Sequence, residues 1–419
     1  MMLNRKLTIF SWSMYDFANT IFAMNVTSLY FALWVTVDMK GEDILYSWAL
    51  SGSMLLAALS APLMGAISDR VGRRIPFLII FTLICCIFTA LIGLTNRLFF
   101  GLLLFAIANF CYQIAAIFYN ALLPQMSGKG QIGRVSGYGT SLGYCGTIAG
   151  LLLVRPFVLK YGSQAAFIPT AILFLLFSLP CFLFVKDCLV ERRDKPCLFL
   201  LRGLSAKQKG RGKFEPQIRG AFRKIKETFV NIKRYPDLFN FLIAAIFAFN
   251  AINTIIVFMS VYTKKVMGFT DPEIITFYIV STIFAIIGSF IAGFITDSLG
   301  SKRTLSIVLG LWCISILLTV IAFNKIVFWA VGPLVGICLG ATWTSARALV
   351  VDLSPPQMVG EVFGFYGLTG KSASIIGPFI WGADSVGVWF FRDFKVSIGN
   401  LCLIAIFRSG ISFPSQGAG

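Results

Sequence analysis

The sequence predicts an all-α polytopic membrane protein built from two parallel six-helix halves, with eleven clear spans and a weak or truncated twelfth. Three observations carry that expectation. Apolar runs of about 20 residues recur between short polar segments, the length a helix needs to cross roughly 30 Å of hydrocarbon. Of the 419 residues 57% are hydrophobic and only 13% charged, against roughly 25% charged in a soluble domain, and the mean hydropathy is +0.83. Finally, a glycine- and carboxylate-bearing string in the first half recurs in the second.

The first run, Phe10–Val37, follows Arg5 and Lys6. It is too long for a signal-peptide core and no small-residue cleavage pattern follows it, so it reads as a retained span with a cytoplasmic N-terminus. Further spans are expected at about Tyr46–Ile67, Ile75–Thr95, Leu98–Leu123, Val135–Pro156 and Ala165–Val185, then at Leu238–Tyr262, Ile274–Ile295, Thr304–Phe323, Ile326–Leu349 and Val362–Trp381. Beyond Gly382 only residues 396–407 lie uncharged between Lys395 and Arg408, roughly 18 Å of helix, which is short for a twelfth crossing. The expected division is 1–185 for the first half, 186–237 for a basic cytoplasmic linker, and 238–419 for the second half, whose tail is atypical from about 383.

Charge placement supports this order. The linker holds fifteen Lys/Arg and six Asp/Glu, a net +9 within an overall +18, as a cytoplasmic connection obeying the positive-inside rule would. Phe222, Ile225, Phe229 and Ile232 recur at helical spacing and predict an amphipathic helix at the lipid surface. In a soluble protein the same excess would indicate nucleic acid, which the hydropathy excludes. The chain has no histidine, which removes Ser/His and Cys/His hydrolysis and His-ligated zinc. Its ten cysteines form no C-x-x-C pair and read as small core hydrophobes. No enzyme activity, cofactor or metal is expected.

The repeat sets the architecture. Gly65-x-x-x-Asp69-x-x-Gly72 recurs as Gly293-x-x-x-Asp297-x-x-Gly300, and each copy ends in a basic pair, Arg73-Arg74 and Lys302-Arg303. Gly133-Arg134-Val135-Ser136-Gly137 matches Gly360-Glu361-Val362-Phe363-Gly364, and Gly150 matches Gly377. Both copies run in the same direction, as parallel repeats about an axis along the membrane normal do.

The string Gly65-Ala-Ile-Ser-Asp69-Arg70-Val-Gly72-Arg73-Arg74 resembles the signature loop between spans two and three of the major facilitator superfamily. Trp12-Ser-Met-Tyr15-Asp16-Phe17-Ala18-Asn19-Thr20, Tyr119-Asn120-Ala121-Leu122-Leu123-Pro124, the glycine-rich start of span five and Glu361–Ser374 together resemble the unknown-major-facilitator family, relatives of the autophagy-linked vacuolar amino-acid effluxers. The resemblance runs from about Trp12 to Gly382. It implies a transport fold with cargo held mid-membrane, and a latch in which Asp69 and Arg73 close the cytoplasmic side. One departure is Asn250, where the family usually has an acidic residue; an amide exchanges no proton.

Polar groups at membrane depth are costly unless partnered and so mark candidate sites. Asp16 shares a face with Asn19 and is either a proton-coupling carboxylate, a ligand for an ammonium group, or an ion-pair member. Arg347 and Lys371 are its candidate partners, and Trp343, one turn before Arg347, is placed to stack on it or on a ligand. Asn109, Gln113 and Asn120 form one stripe on span four, and Asn250, Asn253 and Thr254 another on span seven, as cavity-lining spans of the superfamily would present. The alternative for both stripes is interhelical hydrogen bonding. Glycines at 139, 143, 146 and 150 and at 364, 367, 370 and 377 read as packing surfaces. Gly370-Lys371-Ser372 lacks the rest of a phosphate loop, and Asn25-Val26-Thr27 sits inside a span, which excludes glycosylation there.

The expected function is secondary transport of a small polar metabolite, with amino-acid efflux leading, and a coupling proton and the lipid bilayer as partners. The alternatives are proton-coupled drug or sugar transport, or a non-transporting or decayed relative. A monomer in a bacterial inner membrane is expected, or a vacuolar membrane if the source is eukaryotic.

Overall fold

The computed structural model describes residues 2–128, 130–187, 235–265, 267–321 and 325–384. The amphipathic segment around Phe222–Ile232 and the short twelfth run at 396–407 lie outside them. The described residues form eleven long helices. α1 begins at Met2–Phe22 and continues through wider π-helical turns, Ala23–Tyr30 and Trp34–Asp38, to the far side. Then come α2 (Asp43–Val71), α3 (Ile75–Ile92), α4 (Leu98–Ala121), α5 (Ile132–Tyr161), α6 (Phe167–Phe184), α7 (Pro236–Lys265), α8 (Asp271–Leu299), α9 (Ser301–Ile321), α10 (Lys325–Leu353) and α11 (Val359–Asp384). Each expected span coincides with one helix. Among the described residues ten helices are long and apolar enough to cross a membrane. α11 is the eleventh expected span.

Local chemistry sets the ends. Gly72 at φ +71° and Gly300 at φ +88° close α2 and α8 in backbone regions that a side chain would strain. They are the last glycines of the two repeat strings. In α1 the π turns free backbone carbonyls, and α2 takes one of them: the Tyr46 hydroxyl donates to the Thr27 carbonyl at 2.5 Å. Asn25, fully buried in the same turn, donates to the Gly150 carbonyl of α5 at 3.1 Å.

Within the first half α1 packs on α5 and α6, α2 on α4, and α3 on α4 and α6; within the second, α7 packs on α11 and α8 and α9 on α10. The halves meet mainly where α2 faces α11 and where α5 faces α8, which are equivalent contacts under the repeat. Glycines make both approaches possible. A Cβ on Gly65 would collide with the Gly360 carbonyl, and one on Gly137 would stand 2.7 Å from the Ser289 carbonyl. On its other face α5 lays Gly139, Gly143 and Gly146 against Trp12, Asp16 and Phe17 of α1. Large aromatics fill the interior, with Trp12, Trp34, Phe105 and Phe174 at no more than trace exposure, while Phe99, Leu59, Leu159 and Ile307 stand exposed on the outer surface. An outer surface as apolar as the interior suits hydrocarbon as the outer solvent.

Candidate functional site

Two constellations join the halves. The first lies at the end of the bundle carrying the repeat loops. Asp69, at the end of α2, accepts hydrogen bonds from the Gly360 amide at 3.0 Å and the Glu361 amide at 2.9 Å, the first turn of α11. Asp297, at the end of α8, accepts from the Gly133 amide at 2.7 Å and the Arg134 amide at 3.2 Å, the first turn of α5. Each loop carboxylate thus caps a helix of the opposite half, satisfying amides that have no partner within the helix and meeting the positive end of its dipole.

The cations are arranged differently from what the resemblance implies. Arg74, not Arg73, pairs with Asp69, at 2.7 Å; it is buried, and its other amino group donates to the Ala121 carbonyl at the end of α4 at 2.6 Å. Arg70 and Arg73 are exposed. α3 begins with the amides of Arg74 and Ile75 bonded to Asp187, at 2.9 and 3.1 Å, so Arg74 links α2, α4 and the end of the sixth helix. In the second copy Lys302 and Arg303 are also exposed. There Arg134, from the capped helix itself, pairs with Asp297 at 2.9 Å. Arg134 and Asp187 were not among the sequence candidates; Arg134 stands inside the matched repeat, which is the signal that would have found it.

The second constellation lies deeper. Asp16 of α1 and Arg347 of α10 form an ion pair at 2.7 Å, with side-chain exposures of 5% and 15%. Of the two cations considered for Asp16, Arg347 is the one in contact. The ring beneath the guanidinium is that of Tyr119, whose centroid lies 6.0 Å away, and not that of Trp343, which lies against Phe249 at 5.2 Å. Tyr119 is held by Trp12, which stacks on it at 4.5 Å and donates its indole N–H to the Tyr119 carbonyl at 3.2 Å. Tyr112, Tyr119, Tyr144 and Tyr366 are all within electrostatic reach of the pair. None was picked from sequence, although Tyr112 and Tyr119 repeat at seven residues and so share a face of α4.

Other expected polar residues separate. Asn109 is fully buried and donates to Ser53 of α2 at 2.8 Å, an interhelical bond of the ordinary kind. Asn19 reaches the Tyr112 hydroxyl at 3.5 Å while its Oδ1 has no partner. Asn120 likewise has an unpartnered Oδ1, and Gln113 is half-buried on the same stripe. On α7, Asn250 bonds back to the Ile246 carbonyl at 2.7 Å and Asn253 is half-buried, while the side chain of Thr254 lies outside the described ones. Lys371 of α11 is only 6% exposed. Buried hydroxyl and amide oxygens of Asn19, Tyr119, Asn120 and Tyr366 without a partner, together with a buried ion pair that joins the halves, are polar groups that a ligand could complete.

Comparison with known proteins agrees with this arrangement. The family model described as Major Facilitator Superfamily matches residues 16–378. The uncharacterized MFS-type transporter YxiO of Bacillus subtilis (strain 168) is 25% identical over 421 residues, covering 96% of this chain and 92% of its own. The multidrug resistance protein MdtG of Rahnella sp. (strain Y9602) is 21% identical over 385 residues, covering 90% and 86%. The crystal structure of the human organic anion transporter MFSD10 (TETRAN) superposes with a TM-score of 0.71 at 13% identity, covering 97% of this chain and 98% of that one. With its repeat-related helix contacts and a family match across most of its length, the chain belongs to the Major Facilitator Superfamily, a multi-pass membrane transporter and not an enzyme.

Proposed function

We propose that the protein is a secondary transporter that exports a small zwitterion, an amino acid or a close analogue, by alternating access. The observation that supports this most directly is the Asp16–Arg347 pair. Its two charges come from different halves and neutralise each other at 2.7 Å. A ligand carrying both an ammonium and a carboxylate can separate them and leave each compensated, whereas a simple cation or anion would strand one buried charge. Asn19, Asn120 and the Tyr119 hydroxyl offer further hydrogen bonds. The relation to the amino-acid effluxers rests on the resemblance of the Trp12–Thr20 and Glu361–Ser374 segments. Under the expected orientation, in a bacterial inner membrane with the N-terminus inside, the capped end faces the cytoplasm. Asp16 is also the candidate proton carrier.

A second reading, export of apolar drugs, draws on the similarity to MdtG and on the aromatic wall of Phe249, Trp343 and Tyr366. Uptake and efflux of a labelled metabolite and drug panel in proteoliposomes, with and without an imposed pH gradient, separates the two. Movement of amino acids, weakened by D16N, supports zwitterion transport. Movement of lipophilic cations alone overturns it.

A further inference from the structure

Lys371 is a buried cation that the Asp16–Arg347 pair leaves unused. It is only 6% exposed, and among the described residues no carboxylate pairs with it. On its own helix Glu361 lies ten residues before it (371 minus 361), roughly 15 Å along the axis, and Asp384 thirteen residues after it (384 minus 371), roughly 20 Å. Asp16 is already engaged by Arg347. The ammonium folds back one turn, 3.4 Å from the point a Cβ on Gly367 would occupy, a point that also touches Ile117 of α4. Gly367 follows Tyr366, whose ring is in the field of Arg347 and whose hydroxyl is buried without a partner. Arg347 thus lies within electrostatic reach of the residue before Gly367, and Ile117 belongs to the α4 stripe that carries Gln113 and Asn120. The three buried charges Asp16, Arg347 and Lys371 sum to +1. A buried ammonium without a counter-charge is unfavourable, and here the arrangement leaves that charge to be supplied from solution.

We propose that Lys371 binds a second anionic group of the cargo, so that the preferred substrate is a dicarboxylic amino acid with a net charge of −1. This rests on the zwitterion reading of the Asp16–Arg347 pair: the ammonium meets Asp16, the α-carboxylate meets Arg347, and the side-chain carboxylate meets Lys371. The three protein charges and the bound cargo then sum to zero.

The test is counterflow in proteoliposomes holding the full chain, with labelled glutamate and aspartate compared against glutamine and asparagine. The wild type is expected to exchange the acids at least about tenfold faster than the amides, since an amide leaves the buried ammonium uncompensated. K371Q is expected to reverse that preference and K371R to keep it, with thermal unfolding and size-exclusion profiles confirming that both variants fold. Wild-type exchange of the amides as fast as the acids overturns the assignment of Lys371 and leaves the zwitterion reading standing, as does equal loss of both exchanges in folded K371Q. No exchange of any amino acid by folded wild-type protein overturns the zwitterion reading and this inference with it. The wild-type selectivity alone decides the question if K371Q fails to fold.

Discussion

Asp16 and Arg347 show why the deepest charges in this chain are better explained by function than by stability. A buried ion pair recovers little more than its own desolvation, and an apolar pair of similar volume often serves as well; removing one partner, however, strands the other at a cost of about 3–5 kcal/mol. D16N and R347Q are each expected to lower the unfolding temperature in detergent, and the D16N/R347Q double variant to recover most of that loss while remaining inactive. A double variant as unstable as the worse single one would mean that the two side chains are not stabilised through each other. The candidates at this scale were legible because a carboxylate in an apolar run has few bland explanations. Which cation answers it was not, since the sequence offers both Arg347 and Lys371 and only the packing of α10 and α11 decides. The same holds for Trp343 and Tyr119: one turn of spacing placed the tryptophan beside Arg347 in sequence, but α10 turns its ring to Phe249 and brings the guanidinium over α4.

At the level of elements, the closed end depends on two helix caps and the glycines that let the helices approach. Losing a capping carboxylate costs about 1 kcal/mol, and Asp69 and Asp297 each cap a helix of the other half. D69A with D297A is therefore expected to open that end without unfolding either half. Spin labels at Arg70 and Lys302, exposed at the capped end, should move apart in the double variant, while labels at Asn96 and Lys264 toward the other end should draw together. Unchanged distances at both ends would show that the caps do not hold the conformation. The repeat made this pairing partly readable. Two Asp residues at equivalent positions, and two Gly-led helix starts at equivalent positions, were visible in the sequence. That each Asp meets the helix of the opposite copy depends on how α2 faces α11, which no local pattern records. The choice of Arg74 over Arg73 has a similar origin: α3 begins immediately after Arg74, and that start turns its side chain inward toward Asp69 and Ala121.

For the whole molecule, hydropathy located each of the long helices of the described residues, with ends within about five positions except at the start of α1, which begins at Met2 and not Phe10, because a bilayer span must be apolar over a fixed length. The π-helical turns of α1 were not visible, since they replace one hydrogen-bond register by another without changing composition. What unites the scales is a geometry in which the halves are joined by a dissociable pair in the middle and by two caps at one end, so that breaking either set permits the rocking motion of alternating access. The most direct measurement is amino-acid counterflow in proteoliposomes containing wild type, D16N and R347Q. Exchange of a zwitterionic amino acid by the wild type and its loss in both folded variants is the expected result. Undiminished exchange in either variant would contradict the assignment of cargo to the Asp16–Arg347 pair.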